Sequence, residues 1–483
     1  MSVELEANAA INGLPKVVIV GAGFSGTALA IQLLRRSPHP FQLTLVERSG
    51  RFARGVAYGT SSPEHFLNVP VGRMSVFPDR PDDFLVYLGQ RGIPLHGGDF
   101  APRVLYGEYL QARLQESVEA APGCGFTALS GEVRTVVEAE TGFRLRLADG
   151  SALDAARVIM TIGNGEPAIP DVLRAIGHAP NYLADPWQSG ALDRVEPDSK
   201  VLLLGTGLTM FDVALYLSRR DCGPLIALSR RGLVPQSHRE HVHWEARDMP
   251  VPGLCEASEL RAYVRCMRQA IRACAAEDID WRDVLTSIRQ QTPALWQRLA
   301  TNDQARFYRN LGPYWDTHRH RCAPQVGLAI EQLRAATQLS IKAGRIRRIT
   351  LADQGFRVIV QERGTGCESA LDVTHIVNCT GPGSRLSSNR DGLLQDLLAS
   401  GLAEADALDL GLTTDAAYGL SGTGDQRLYY LGPWLKGQYL ESTAVPELRE
   451  HAVRLADIVL QSLFETSGLP APEGVSIESD RRR

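Results

Sequence analysis

The sequence predicts an α/β protein of two doubly wound units, the second inserted into a discontinuous first and carrying a helical insertion. Three observations predict it. Two apolar runs, Val17-Val18-Ile19-Val20 and Val201-Leu202-Leu203-Leu204, each lead into a glycine turn and then a helical segment. That is the strand-turn-helix start of a parallel unit. A two-stranded meander feeding a buried strand occurs twice. Residues 132–137 and 142–147 precede 156–163, and residues 344–349 and 355–360 precede 374–381. Such a repeat means two related units. Finally, 483 residues at 44% hydrophobic and 22% charged have an ordinary globular composition, long enough for roughly two or three domains.

The first turn reads Gly21-Ala22-Gly23-Phe24-Ser25-Gly26, a G-x-G-x-x-G pattern, and a helix is expected from Thr27 to Arg36. A second strand, Gln42 to Val46, ends on Glu47, 21 residues after Gly26. Gly21 permits the tight turn, Gly23 lets backbone approach a pyrophosphate, and Gly26 lets helix and strand pack closely. The helix N-terminus offers free N–H groups and partial positive charge to phosphates. Glu47 would accept hydrogen bonds from ribose hydroxyls. Together these describe a Rossmann-like dinucleotide site.

Arg51 to Thr60 follows as a glycine-rich loop in which Arg51 would offset phosphate charge. His65 to Ser75, rich in turn formers, reads as a loop lining a flavin ring, with Asn68 a contact. The second turn, Gly205-Thr206-Gly207-Leu208-Thr209-Met210, has methionine at the third glycine position. It suits a nicotinamide cofactor held less permanently than a flavin. Its second strand, Leu225 to Leu228, ends in Ser229-Arg230-Arg231 with no carboxylate. A hydroxyl and two guanidiniums suit a 2′-phosphate, which favours NADPH, with NADH possible. FAD then falls to the first turn. Its expected contacts are Gly21, Gly23, Phe24, Ser25, Gly26, Glu47, Arg51 and Asn68, with Gly163, Gly381, Gly432, Thr443 and Ala444 at later strand and helix ends. Those of NADPH are Gly205, Gly207, Ser229, Arg230 and Arg231.

Residues 256–335 are expected to be mostly helical, with Leu260, Val264, Met267, Ile271 and Cys274 on one apolar stripe. Two polar runs flank them: Ser237-His238-Arg239-Glu240-His241-Val242-His243-Trp244 and Tyr314-Trp315-Asp316-Thr317-His318-Arg319-His320-Arg321. No cysteine or acidic frame accompanies the histidines, so no metal site is expected. Arg427 to Pro433 reads as a final strand and turn. A long helix opens at Val445-Pro446, its N-terminus placed to stabilise negative charge on a reduced flavin.

The expected division starts with a disordered leader (1–15) and a first segment of the FAD domain (16–165). An NADPH domain (166–370) follows, with the insertion at 256–335. The second segment of the FAD domain (371–469) and a loose tail (470–483) complete it. A net charge of −4 gives no general attraction to nucleic acid or anionic membrane. No apolar run reaches about 18 residues, and a cytoplasmic location is expected. Eight cysteines contain no C-x-x-C, which argues against a dithiol reductase.

Gly55–Thr60 (GVAYGT), the run HFLNVPVGRMS from His65, YWDTHRHR from Tyr314 and ESTAVPELR from Glu441 resemble a bacterial FAD/NAD(P)-binding flavoprotein family. That family includes FAD-dependent urate hydroxylase (HpyO type) and the CreE-type aspartate N-monooxygenases. The resemblance implies a flavin monooxygenase: NADPH reduces FAD, and one oxygen atom of dioxygen passes to a nucleophilic small molecule. It favours urate, hydroxylated to 5-hydroxyisourate in purine breakdown. An N-hydroxylase of an aspartate-like amino acid or another amine is the alternative, and a reductase with a different electron acceptor is a further one. Arg239, His241, His318, Arg319 and His320 are the candidates to hold an anionic substrate. The F-x-G-x-x-x-H fingerprint of the flavin-containing monooxygenases is absent. Oligomeric state and catalytic residues are left open.

Overall fold

The computed structural model describes residues 13–240, 249–422 and 428–465. The expected leader up to residue 12, the loose tail, His241 and Arg427 lie outside the described residues. The first sheet is five-stranded and parallel, in the order β15-β7-β1-β2-β3. Its strands are β1 (Lys16–Val20), β2 (Gln42–Glu47), β3 (Gly125–Ser130), β7 (Arg157–Met160) and β15 (Leu428–Tyr430). Helix Phe24–Arg36 packs against both the long helix Val445–Glu465 and the helix Arg103–Glu119. Arg36 reaches Asp457 of the long helix at 2.6 Å.

The second sheet has seven strands in the order β13-β12-β11-β10-β9-β14-β8. The parallel strands are β8 (Tyr182–Leu183), β9 (Val201–Leu204), β10 (Leu225–Ser229) and β14 (His375–Asn378). Along β9, Val201 and Leu203 join one buried cluster while Leu202 and Leu204 join another. This strand is buried on both faces, which is why it reads as one unbroken apolar run.

The two meanders differ in how they attach. β4 (Val133–Ala139), β5 (Gly142–Leu147) and β6 (Ala152–Ala155) form a separate three-stranded sheet. The later one is continuous with the main sheet. β11 (Leu339–Ala352) is 14 residues long. Its opening residues pair in parallel with β10, and the rest is antiparallel to β12 (Gly355–Glu362), which carries β13 (Glu368–Val373).

One boundary is corrected. β14 pairs with β9 and β8, so the chain does not return to the first unit at residue 371. β14 holds in the second sheet the place that β7 holds in the first. Only β15 re-enters the first sheet. Gly381, expected beside the flavin turn, therefore follows a strand of the second unit. It lies in a two-stranded crossover, where Gly381 O accepts from Ala168 N–H at 3.3 Å and Glu166 O from Gly383 N–H at 3.1 Å.

The insertion contains the helices Leu260–Ala276, Trp281–Ser287, Thr292–Arg298, Thr301–Arg306 and Gly312–Arg319. Asp280 caps the second through Arg282 N–H at 2.7 Å. Leu260 and Met267 of the expected stripe pack on a small core around Trp296, Leu285 and Leu295. Helix Pro324–Ala335 leaves this group, since Val326 and Ile330 pack in the second unit's core. The NADPH-domain core thus begins within the stretch expected to be insertion.

Candidate functional site

The first glycine turn is closed by backbone contacts. Gly21 has φ +107°, and a Cβ there would lie 2.7 Å from Thr161 O at the end of β7. Thr161 Oγ1 donates to Gly21 O at 2.6 Å. A Cβ on Gly26 would collide with that same Gly21 oxygen. The glycine loop folds back onto the turn, so a Cβ on Gly55 would lie 3.1 Å from Gly23 Cα. Helix Phe24–Arg36 begins at Gly23 without a side-chain cap among the described residues. Phe24 and Ser25 are largely buried at the helix start, where their backbone N–H groups can serve a phosphate.

Glu47 ends β2 as expected, with some of its carboxylate already engaged. Oε2 accepts from Ala22 N–H at 2.9 Å, and Oε1 accepts from Ser49 N–H at 2.9 Å and Ser49 Oγ–H at 2.7 Å. A carboxylate has about four acceptor sites, so capacity for a ribose hydroxyl remains. Arg51 is exposed and donates to Gly59 O at 3.3 Å. Gly163 and Gly432 follow β7 and β15, where Trp434 Nε1–H reaches Gly163 O at 3.1 Å. Thr443 and Ala444 precede helix Val445–Glu465, and Leu448 N–H donates to Ala444 O at 3.0 Å. This cradle fits a dinucleotide whose phosphates approach the helix start.

The second turn repeats the first. Gly205 has φ +105°, and a Cβ there would strike Cys379 O at the end of β14. A Cβ on Gly207 would meet nothing within 4 Å among the described residues. Met210 is fully buried in the second unit's core, so its side chain fills that core instead of loosening it. Ser229 helps close the turn: its Oγ accepts from Thr206 Oγ1–H and Gly232 N–H, both at 2.9 Å. Arg231 donates to Arg309 O at 3.3 Å and lies 5.5 Å from the Tyr314 ring. Arg230 is exposed beside them.

A buried charge pair joins the units. Arg103 Nη2 lies 2.9 Å from Asp212 Oδ2, the latter on helix Leu208–Ser218 behind the second turn. Burial raises the Asp212 carboxyl above its usual range, against the pull of Arg103 and His65. His65 Nδ1 is 2.7 Å from Thr60 Oγ1, and burial lowers its proton affinity.

Between the units and the insertion lies a recess. Asn68, Val69, Pro70 and Arg73 form one wall, and His238 and Arg239 another. Arg282, Asp283, Leu285, Thr286 and Arg289 come from the insertion, Arg319 and Arg321 from the end of helix Gly312–Arg319 and just beyond. Of the expected substrate residues, Arg239 and Arg319 line it. His320 adjoins it electrically, with Arg319, Lys436 and Arg289 around it. His318 is turned away, its Nδ1 2.8 Å from Tyr314 O and its ring edge-on to Trp281 at 5.0 Å. Arg73, Arg282, Arg289, Arg321 and His238 were not foreseen. Arg73, His238 and Arg321 lie within runs singled out in the sequence, but Arg282 and Arg289 carry no sequence signal.

Carboxylates stand behind several of these cations. Arg289 pairs with Glu447, with Nη2 to Oε2 at 2.6 Å, and Arg319 Nε donates to Glu441 Oε1 at 2.6 Å. His238 Nε2 lies 3.2 Å from Asn68 O. Burial, then Arg321, push His238 down to about 3, and burial, then Arg319, push His320 down to about 3. Burial pushes Arg73 down to about 10 with Arg289 and Arg319 adding to it, and Arg321 to about 9 with Arg319 and Arg282 adding to it. Both histidines are thus expected to stay neutral from about pH 5 to 9, against an unperturbed value of about 6.5. Their ring ¹⁵N shifts should be flat over that range, and a titration near the unperturbed value would refute the assignment. Since the folded values are lowered, the stability they contribute is complete above the unfolded value and falls as pH drops below it.

Comparison with known proteins agrees with this architecture. Residues 18–165 match a family described as FAD-NAD(P)-binding. They form an FAD/NAD(P)-binding unit. An uncharacterised protein of Escherichia coli (strain K12), YdhS, is 23% identical over 216 residues, 42% of this chain and 40% of that protein. The chain thus matches well under half the length of this curated relative. Ornithine hydroxylase from Pseudomonas aeruginosa superposes with a TM-score of 0.61 at 17% identity, covering 93% of this chain and 99% of that one. L-lysine 6-monooxygenase from Pseudomonas syringae gives 0.61 at 16%, covering 92% and 99%. The FAD-bound cadaverine monooxygenase of Erwinia amylovora gives 0.60 at 11%, covering 98% and 99%. The fold of these monooxygenases therefore extends over nearly the whole chain. Among the described residues no helix is long and apolar enough to cross a membrane.

Proposed function

We propose that this chain is an FAD-dependent, NADPH-consuming monooxygenase that hydroxylates the nitrogen of a small amine. One observation carries the proposal: a two-unit fold shared over nearly the full chain with enzymes named for ornithine, lysine and cadaverine, with a polar recess where its two units meet the insertion. It supports the amine over urate, which the family resemblance favoured. In the balanced reaction an amine, dioxygen, NADPH and a proton give a hydroxylamine, water and NADP⁺. Bound FAD supplies the redox chemistry, taking electrons from NADPH and activating dioxygen. The chain's residues bind, orient and exclude water. Gly21, Gly23 and Gly26 hold the flavin nucleotide's phosphates, and Glu47 its ribose. Asn68, on the recess wall, would contact the flavin ring. Gly205 and Gly207 admit NADPH. Neutral His238, on the recess wall, would offer the substrate a hydrogen bond without adding charge.

NADPH oxidation by the FAD-loaded protein, screened with amines, amino acids and urate and coupled to hydroxylamine detection, tests the reading. Amine-dependent hydroxylamine is expected. Conversion of urate to 5-hydroxyisourate without hydroxylamine from any amine would replace this reading with the other. Arg230 is the guanidinium left for a 2′-phosphate. Arg230→Ala is expected to raise KM for NADPH roughly tenfold or more and leave KM for NADH unchanged, since charge-assisted hydrogen bonds contribute about 1.5–3 kcal/mol. Equal effects on both would refute the role.

A further inference from the structure

The Arg103–Asp212 pair is one end of a longer contact between the two units. Helix Leu208–Ser218, which opens at the second glycine turn, meets the first unit along one face. Asp212 lies 2.9 Å from Arg103, the Tyr216 ring lies 6.4 Å from the His65 ring, and Arg219 pairs with Glu64. Positions 212, 216 and 219 are spaced i, i+4, i+7, a single stripe of that helix. Trp187 of the second unit stands edge-on to His65 at 5.5 Å. Phe100 is buried in the second unit's core, and Phe66 packs against it.

The first unit presents these side chains from two segments tied together by their backbones. Leu67 N–H donates to Ala101 O at 2.8 Å, Arg103 N–H to His65 O at 2.7 Å, and Arg103 Nε–H to Phe66 O at 3.0 Å. Arg103 is also the first residue of helix Arg103–Glu119, which packs against Phe24–Arg36, the helix of the first glycine turn. Asn68, just past His65, lines the recess. A path of packed elements thus runs from the first phosphate turn through Arg103 to the helix behind the second.

Net stability is a poor explanation for the ion pair. The side chains of Arg103 and Asp212 are 16% and 6% exposed, so both charges are largely desolvated. A buried pair returns little over that cost, but it forms only in a narrow range of orientations. The units need such a constraint. The chain crosses between them at segments paired side by side around Ala168 and Gly381, and a joint of that kind leaves rotation about itself open. The insertion braces the recess side through Arg289–Glu447 and Arg319–Glu441. The Arg103 contact bears on the nucleotide helix itself.

We propose that Arg103 is a positioning residue for hydride transfer: through Asp212 it sets the orientation in which the second unit delivers the nicotinamide to the flavin. This rests on the second turn being the NADPH site. The step moves a hydride, one proton with two electrons, from NADPH to oxidised FAD, and leaves NADP⁺ and the anion of reduced FAD. A misplacement of roughly 1 Å can slow such a step about a hundredfold. Nucleotide affinity, set by the turn and Arg230, does not depend on that orientation.

The test is anaerobic stopped-flow reduction of the FAD-loaded protein by NADPH, with NADP⁺ affinity, flavin content and thermal unfolding measured beside it. Arg103→Met is expected to keep its flavin, to bind NADP⁺ within about twofold of wild type, and to lose at least about tenfold in the limiting rate of flavin reduction. Arg103→Lys should recover part of that rate. Arg103→Met with Asp212→Leu strands neither charge. Its melting temperature should therefore return toward wild type while its reduction rate stays low. A rate that recovers together with the melting temperature would make the pair merely structural and overturn the proposal. So would an unchanged rate in Arg103→Met, a loss of NADP⁺ affinity that accounts for the slower reduction, or slower reduction by dithionite, which needs no nucleotide. If Arg103→Met does not fold, the double variant decides. Wild-type flavin that neither NADPH nor NADH reduces would remove the NADPH reading, and Arg103's role with it. Wild-type reduction by NADPH that the variants leave unchanged would remove Arg103's role alone.

Discussion

Gly26→Ala is expected to yield protein that carries essentially no FAD. The new methyl group would collide with the Gly21 carbonyl oxygen and lie 2.7 Å from Thr161 Oγ1. Neither can step aside. Gly21 is held by its own N–H bond to Val46 O at 2.8 Å, and its φ of +107° leaves little freedom. Thr161 is fixed by its hydrogen bond to Gly21. The helix must therefore move off the strand, taking with it the N–H groups that would face a pyrophosphate. Overpacking costs about 1–3 kcal/mol in stability. The loss of cofactor should be larger, because binding depends on the geometry of that turn. The ratio of flavin to protein absorbance in purified material measures it. Gly89→Ala is the control, since a Cβ there meets nothing within 4 Å. Wild-type flavin content in Gly26→Ala would show that the turn does not hold the cofactor.

Both glycine turns could be read in advance because their requirements are local. A strand, a positive-φ glycine and a helix start lie within ten residues of one another, and Gly21 and Gly205 adopt the same conformation. The boundary at residue 371 could not be read so. β7 and β14 are equivalent strands of repeated units, and nothing in Thr374–Gly381 says which sheet receives it. Ser229 is expected by position to contact the nucleotide; its oxygen also accepts from Thr206 and Gly232, which closes the turn and leaves its O–H as a donor. Met210 was read as a looser contact and proves to be core. The recess was the least legible feature. Four stretches far apart in the chain build it, and Arg282 and Arg289 look like ordinary helix-surface arginines until the helices are placed. Clustered histidines drew attention to two of the right runs, yet arginines, three of them from elsewhere in the chain, form most of the polar lining.

Arg319→Ala is expected to destabilise the protein by about 3–5 kcal/mol, the usual cost of breaking a buried ion pair by removing one partner. Glu441 is 5% exposed, and Arg319 is its ion-pair partner across the seam between the insertion and the first unit. Arg319 also lies 3.6 Å from Glu447, which Arg289 holds on its other side. Burial alone would raise the Glu447 carboxyl. Hydrogen bonding and charge from Arg289, and charge from Arg319, outweigh it and hold the carboxyl below its usual range. A carboxyl held down in the folded state takes up protons more readily when unfolded. The stability it contributes is therefore complete above the unfolded value, about 4.3, and is lost as pH falls through the lowered folded value. Removing Arg319 lets that folded value rise, so the deficit of the variant should be largest near neutral pH and shrink in acid. Urea unfolding at about pH 7 and about pH 4 measures both, and an equal deficit at the two would refute the electrostatic account. A second comparison tests whether the cost comes from the stranded carboxylate. Arg319→Met with Glu441→Leu removes both members of the pair, leaving no stranded carboxylate at residue 441. The double variant should be more stable than Arg319→Met alone. If it is less stable, Glu441 contributes through contacts other than its pair with Arg319.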